Sequence, residues 1–220
     1  MRVLWTHTFN TDIDQNAGIF MFNAAERLKS IGLDLTLEYL GDLRSSRRII
    51  NSIKYLNKIS KNFDLVHAQY GSGCGLVTST IKSCPIVLSL RGSDWNLHNT
   101  SFKYDFWHTI LARFLTKISI SKYDYIISVS KRMTKDLKGR YPSLKFLSMP
   151  SPIDLGIFKP IEKIKARELL GFPNNNERWI LFTAGSRNNP IKRYSLARKA
   201  TLKANLKLKN LKLRIAENIP

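Results

Sequence analysis

Apolar residues recur along this chain in two alternating rhythms, and the alternation predicts its architecture. Residues 64–68 and 85–90 are apolar or β-branched runs without polar alternation, as expected of strands covered on both faces. Residues 2–7, 34–40 and 125–129 read as further strands, and 146–149 closes the series. Between them the period becomes helical. The segment 43–62 places Ile49, Ile53, Leu56 and Ile59 on one face. Segments 17–31, 106–121 and 131–138 also read as helices, the first closed by Gly32, a natural C-terminal stop. Such alternation predicts a parallel sheet with helices on both sides, a doubly wound, Rossmann-like α/β domain.

The rhythm breaks at 149–160, where Pro150, Pro152, Gly156 and Pro160 mark a linker. It then restarts with a helix over 164–170 stopped by Gly171, a strand over 179–183, a helix over 195–204 and a strand over 211–216. A doubly wound domain normally has about five or six strands, and two strands with two helices fall short of that. The expectation is a complete first domain over 1–152, a linker over 153–163 and the truncated start of a second Rossmann-like domain over 164–220.

Charge adds a second theme. The formal net charge of +20 favours polyanionic partners. Two stretches are dense in cations: Arg44, Arg47, Arg48, Lys54, Lys58 and Lys61 lie in a run without an acid, and from Arg187 onward Glu217 is the single acid. No zinc spacing, aromatic RNA-binding pattern or recognition helix accompanies them, so no specific nucleic-acid partner is expected. The basic segment from Leu43 to Asn62 is either a solvated helix or a peripheral contact with an anionic membrane face. Cys74 and Cys84 show no metal-ligand spacing, which suits a reducing compartment. No apolar run is long enough to span a membrane, and the start of the chain lacks a secretory h-region. A cytoplasmic location is expected, peripheral at the inner membrane face if the basic segment docks there.

Candidate chemistry concentrates at strand-to-helix junctions. The strand at 179–183 runs into a small-residue loop that delivers Arg187 and Lys192 where helical N–H groups point outward. That combination suits a phosphate-bearing ligand; the alternative is two solvated surface cations. No Ser–His–Asp arrangement is present, and Asp12, Asp14 and Asp94 have no acid–base spacing. The GSGCG at 71–75 follows a strand and precedes a short helix, but Leu76 stands where a dinucleotide fingerprint needs its third glycine. It is expected as a turn of small residues. His67, inside an apolar strand, is expected as a satisfied core histidine.

Six motifs occur in a familiar order: NAGIF with its helix, DLVHAQYG, PIVLSLRGSDW, YDYIISVSKRMTKDL, SPIDLGIFKP followed by ARELLG, and ILFTAG followed by IKRYSLARKA. On these, the chain resembles the N-terminal part of glycosyltransferase family 4, retaining enzymes of the GT-B fold, over essentially its whole length. The resemblance implies two Rossmann-like domains facing across a cleft, the first on the acceptor side and the second binding the donor. It implies transfer of a sugar from a nucleotide-sugar to a glycan or lipid-linked acceptor, in polysaccharide or cell-envelope glycan synthesis, with no cofactor and no metal. Arg187 and Lys192 match the family's donor-diphosphate cations. Gly18 matches the glycine of the first strand–helix loop. Arg91, Gly92 and Asp94 fall in the loop the family often writes HGSD, facing the acceptor or the transferred sugar. Arg91 takes the histidine position, where it could contact a sugar hydroxyl or an acceptor anion, and its pKa is too high for a base. Asp94 would bind an acceptor hydroxyl or cap the following segment. Ser130 matches the family's SxS turn, with an N-cap as the alternative.

Departures from the pattern are visible. Relatives often carry a second histidine where Gln69 stands, and SPID replaces an asparagine–glycine at the linker. The family's two glutamates, later in the second domain, have no counterpart in these residues. Little transferase activity is therefore expected of the chain by itself. The competing reading is a non-catalytic basic Rossmann-like module that binds anionic membrane or other polyanions.

Overall fold

In the computed structural model, which describes residues 1–96, 103–183 and 192–216, the chain divides into two units, Met1–Pro152 and Ile153–Pro220. The first holds six strands: β1 (Arg2–His7), β2 (Asp34–Tyr39), β3 (Leu65–Ala68), β4 (Ile86–Leu90), β5 (Tyr125–Ser128) and β6 (Lys145–Ser148). All pair in parallel, in the order β2-β1-β3-β4-β5-β6. Parallel neighbours need crossover helices, and five supply them: α1 (Ile19–Ser30), α2 (Ser46–Ile59), α3 (Ser72–Thr78), α4 (Lys103–Ser119) and α5 (Lys131–Arg140).

Side-chain alternation along the strands divides the interior into two cores. On one face Val3, Trp5 and Leu35 pack with Met21 and Ala25 of α1. On the other, Leu4, Val66, Leu88 and Ile126 pack with Leu56 of α2, Val77 of α3 and Leu137 of α5. Every residue of β4 is buried, which explains why IVLSL carries almost no polarity. Its one hydroxyl, Ser89 Oγ, hydrogen-bonds His67 Nε2 at 2.8 Å. The sheet is the doubly wound, Rossmann-like arrangement anticipated from the pattern.

The GSGCG segment departs from expectation. It is not a turn: Gly71 caps α3, and Gly73, Cys74 and Gly75 are buried within the helix. Glycine is a poor helix former, but here close packing demands it. A Cβ on Gly71 would stand 2.5 Å from Thr116 Oγ1, and one on Gly73 would stand 3.0 Å from Leu43 Cβ. Tyr123 donates its hydroxyl to the Gly75 carbonyl at 2.6 Å. α3 is thus wedged between its neighbours because its surface is nearly bare.

The second unit pairs β7 (Arg178–Thr183) with β8 (Leu211–Ala216) in parallel, alongside α6 (Lys163–Leu169) and α7 (Tyr194–Leu208). Its small interior is organised around Trp179, whose ring lies 4.5 Å from the guanidinium carbons of both Arg167 and Arg214. Arg167, itself buried, donates to the main-chain carbonyls of Asn175 and Glu177. The Glu177 carboxylate accepts from the Trp179 indole at 3.0 Å and pairs with Lys212 and Arg214. These cations hold its pKa down to about 2, with Lys212 the main cause.

Candidate active site at the carboxyl edge of the first sheet

After β1 the chain crosses towards β2, and after β3 it crosses the opposite way towards β4. Loops leaving the carboxyl ends of β1 and β3 therefore diverge, the topology that in doubly wound sheets sets a crevice. Residues just past β1, β3 and β4 surround it.

The β4 loop is held by Asp94. Its carboxylate is fully buried and accepts from the main-chain N–H groups of Gly71 (3.0 Å), Arg91 (3.0 and 3.1 Å) and Gly92 (2.8 Å). Burial pushes its pKa up, and the N–H donors pull against that shift. With both oxygens so engaged, Asp94 fixes the loop and is turned away from solvent. Gly92 belongs to the same turn, at φ 129, where a side chain would be strained. Beside it, Tyr70 and Ser93 share a hydroxyl–hydroxyl hydrogen bond of 2.5 Å. Burial, aided by Asp94, raises the Tyr70 phenol to about 12.

Arg91 projects from the same turn. It donates Nη2–H to Gln69 Oε1 at 2.8 Å and Nη1–H to Ser151 Oγ at 3.2 Å, and its guanidinium lies 4.6 Å from the Phe20 ring centroid. Phe20 meets Phe9 edge-on at 5.4 Å, and Phe9 meets Tyr70 at 6.3 Å. An aromatic wall thus backs a cation at the crevice. Gly18 stands behind the wall as the left-handed N-cap of α1, at φ 73; a Cβ there would lie 2.5 Å from Phe9 Cγ.

Of the other positions, Ser130 and His67 lie in the first unit and Lys192 in the second. Ser130 caps α5, accepting from the Met133 N–H at 3.2 Å. His67 is buried, edge-on to Trp5 at 5.4 Å, and burial with the nearby Arg91 charge lowers its pKa to about 3. Lys192 is exposed in the turn before α7, and Arg187 lies outside the described residues. Among the described residues no group of three or more His, Cys, Asp and Glu side chains is placed to hold a metal ion. No helix among them is long and apolar enough to cross a membrane.

The model of Glycosyltransferase Family 4 matches residues 5–155, which takes in the whole of this crevice. The chain belongs to glycosyltransferase family 4. Among solved structures, the family 4 chain is similar to sucrose-phosphate synthase of Thermosynechococcus elongatus, with a TM-score of 0.62 at 13% identity, over 98% of this chain and 62% of that one. It is also similar to S. aureus MnaA in its UDP co-structure, with a TM-score of 0.51 at 16% identity, over 100% of this chain and 64% of that one. At such identities the likeness speaks for the fold, and the chain spans less than two thirds of the length of either structure. No curated protein matches it.

Two participants in the family 4 crevice escape a reading of motifs. Phe20 and Ser151 touch Arg91 from distant parts of the sequence. Gln69 had a usable signal: a carboxamide at the end of an otherwise apolar strand, LVHAQ, must find a polar partner when buried.

Proposed function

We propose that this chain forms the acceptor-side unit and the first donor-side elements of a retaining glycosyltransferase. The reaction is transfer of a sugar from a nucleotide-sugar to a glycan or lipid-linked acceptor, in polysaccharide or cell-envelope glycan synthesis. The observation that carries this reading is the crevice of Arg91, Gln69, Phe9, Phe20 and Tyr70 at the carboxyl edge of β1, β3 and β4, inside the family match. A sugar ring presents an apolar face and a polar rim. An aromatic wall with fixed polar groups beside it suits both. Asp94 and Gly92 shape the loop, Gly18 lets Phe9 close against α1, and Ser130 fixes the start of α5. On the donor side, Arg187 and Lys192 offset the charge that develops on the departing nucleoside diphosphate, without a metal ion or cofactor.

The acceptor reading extends to a membrane-bound substrate. On α2, Arg47, Lys54 and Lys58 are exposed on one line of the helix, flanked by exposed Ile50 and Tyr55. Such a stripe favours an anionic surface such as the inner face of a membrane, where lipid-linked acceptors reside.

Incubation of the protein with UDP-, GDP- and ADP-sugars and a panel of glycan and lipid-linked acceptors tests the proposal. Little turnover is expected of these 220 residues by themselves, and whatever product forms is expected to keep the donor's anomeric configuration, as read from its proton couplings. Substituting Arg187 and Lys192 together by Ala is expected to weaken binding of nucleoside diphosphates by roughly 10-fold or more. An inverted product would remove the retaining assignment, and unchanged affinity would remove the two cations from the donor site.

A further inference from the structure

Arg91 is a half-buried cation whose hydrogen-bond partners among the described residues are neutral. A guanidinium carries five N–H donors and no acceptor. Among the described residues two are used, one on the Gln69 carbonyl oxygen and one on the Ser151 hydroxyl, and Nε finds no partner. Each terminal nitrogen keeps a second N–H beyond those bonds. No carboxylate forms an ion pair with Arg91 among the described residues. Burial lowers the Arg91 pKa and the neighbouring Asp94 charge opposes that shift through space, but the Asp94 oxygens are spent on main-chain N–H groups.

Gln69 adds to the imbalance. It is fully buried, and since Arg91 can only donate, the bond between them fixes Oε1 towards the guanidinium. The Nε2 amide is then left with hydrogens to give and no acceptor among the described residues. Next to each other at the ends of β3 and β4 stand a cation and an amide, both short of oxygen atoms. Unpaired buried donors cost stability, and the group that repairs this shortage is an oxyanion.

We propose that Arg91, oriented by Gln69, reads an anionic group: the substrate that enters this crevice carries a carboxylate or a phosphate. The inference rests on the glycosyltransferase reading for its setting and narrows the substrate class. A neutral sugar hydroxyl would satisfy one donor and leave the charge unanswered, whereas a planar or tetrahedral oxyanion accepts from several donors at once. The carboxylate would come from an acidic sugar and the phosphate from a phosphate-linked acceptor.

Calorimetric titration of the 220-residue protein with glycerol phosphate, glucuronate and glucose, at low and moderate salt, tests this. At least one anion is expected to bind roughly 10-fold or more tightly than glucose. Arg91→Gln is expected to erase that preference, and Arg91→Lys to keep part of it, since the charge survives without the fork. Lys138→Gln, an exposed cation of α5, controls for net charge and is expected to leave the preference intact; thermal melts confirm that each variant folds. Stronger binding of glycerol phosphate assigns a phosphate-linked acceptor, and stronger binding of glucuronate an acidic sugar. Equal losses in Arg91→Gln and Lys138→Gln, no loss in either, or no preference for an anion would overturn the proposal. UDP, GDP and ADP are titrated in parallel: diphosphate binding unaffected by Arg91→Gln leaves the transferase reading standing whatever the anion titrations give.

Discussion

The Asp94 carboxylate accepts a hydrogen bond of 3.0 Å from the main-chain N–H of Gly71, tying the loop after β4 to the first residue of the α3 cap. Arg91 and Gly92 donate to the same group, so one buried side chain sets the geometry of two crevice loops. Asp94→Asn keeps the shape but turns an amide NH2 towards main-chain donors. Urea denaturation is expected to show a loss of roughly 2–4 kcal/mol. Ser93→Ala, which removes only the hydroxyl partner of Tyr70 in the same loop, should cost less, about 1 kcal/mol. Equal stabilities for Asp94→Asn and the wild type would mean that the loop is held by something else.

Gly18 and Gly32 both lie at positive φ, 73 and 93, but their surroundings differ. A Cβ on Gly18 would enter the Phe9 ring at 2.5 Å, while a Cβ on Gly32 would meet nothing within 4 Å. Gly32→Ala is therefore expected to cost only the left-handed strain, about 1–2 kcal/mol. Gly18→Ala should cost that amount and a further 1–3 kcal/mol or so for displacing Phe9. It should also disturb the crevice, because Phe9 supports Phe20 and Tyr70. Thermal melts of the two variants side by side decide it; equal losses would remove the steric role of Gly18.

How far the sequence revealed this arrangement depended on the range of the forces involved. Strands buried on both faces, such as Ile86–Leu90, declare themselves as unbroken apolar runs. The amphipathic α2 declares itself by period, with Leu56 buried and Lys54 exposed. The glycine-bearing start of α3 was hidden because its glycines answer to Thr116 and Leu43, side chains remote in sequence, and local propensity argues against a helix there. The site was legible as a loop and illegible as a network. RGSD located Arg91 and Asp94, yet nothing local could tell that Asp94 would turn inward to Gly71, 23 residues away. The Arg91–Gln69 pair likewise arises from strand adjacency, 22 residues apart in sequence.

His67 couples the core to pH. Its imidazole is buried against Trp5 and hydrogen-bonded to Ser89, and its pKa falls to about 3, through desolvation first and the Arg91 charge second. An unfolded histidine titrates near 6.5. As pH drops below that value, the unfolded chain takes up a proton that the folded chain refuses. Stability should then fall from about pH 6.5 towards about pH 3, by up to roughly 1.4 kcal/mol per pH unit. His7, also lowered by burial, adds to the slope. Asp64, Asp136 and Glu177, all lowered, lose their contributions only at more acid pH, below about 4.5. Between pH 7.5 and 5 the raised carboxyls of Glu38 and Asp94, which burial makes readier to take up protons in the folded chain, oppose this slope. His67→Gln is therefore compared with the wild type by urea denaturation across that range, and should flatten the histidine part of the profile. An unchanged slope in the variant would show that His67 accepts its proton in the folded state.

The α2 stripe makes the remaining prediction. Arg47, Lys54 and Lys58 form no ion pair among the described residues, whereas nearby Arg44 pairs with Asp42 at 3.5 Å. Ile50 and Tyr55 are 51% and 47% exposed beside them, enough to sink into a headgroup layer. Each cation near an anionic surface is worth about 1 kcal/mol at most. Replacing all three by Gln should therefore weaken co-sedimentation with phosphatidylserine-containing vesicles by up to roughly 100-fold at low salt, and by less as salt screens the charges. Ile50→Ser, which keeps the charge, should weaken it only modestly. Neutral phosphatidylcholine vesicles serve as the reference. If the protein binds both vesicle types equally, or if the triple variant sediments like the wild type, the stripe is a solvated helix face and a lipid-linked acceptor must be captured by other means.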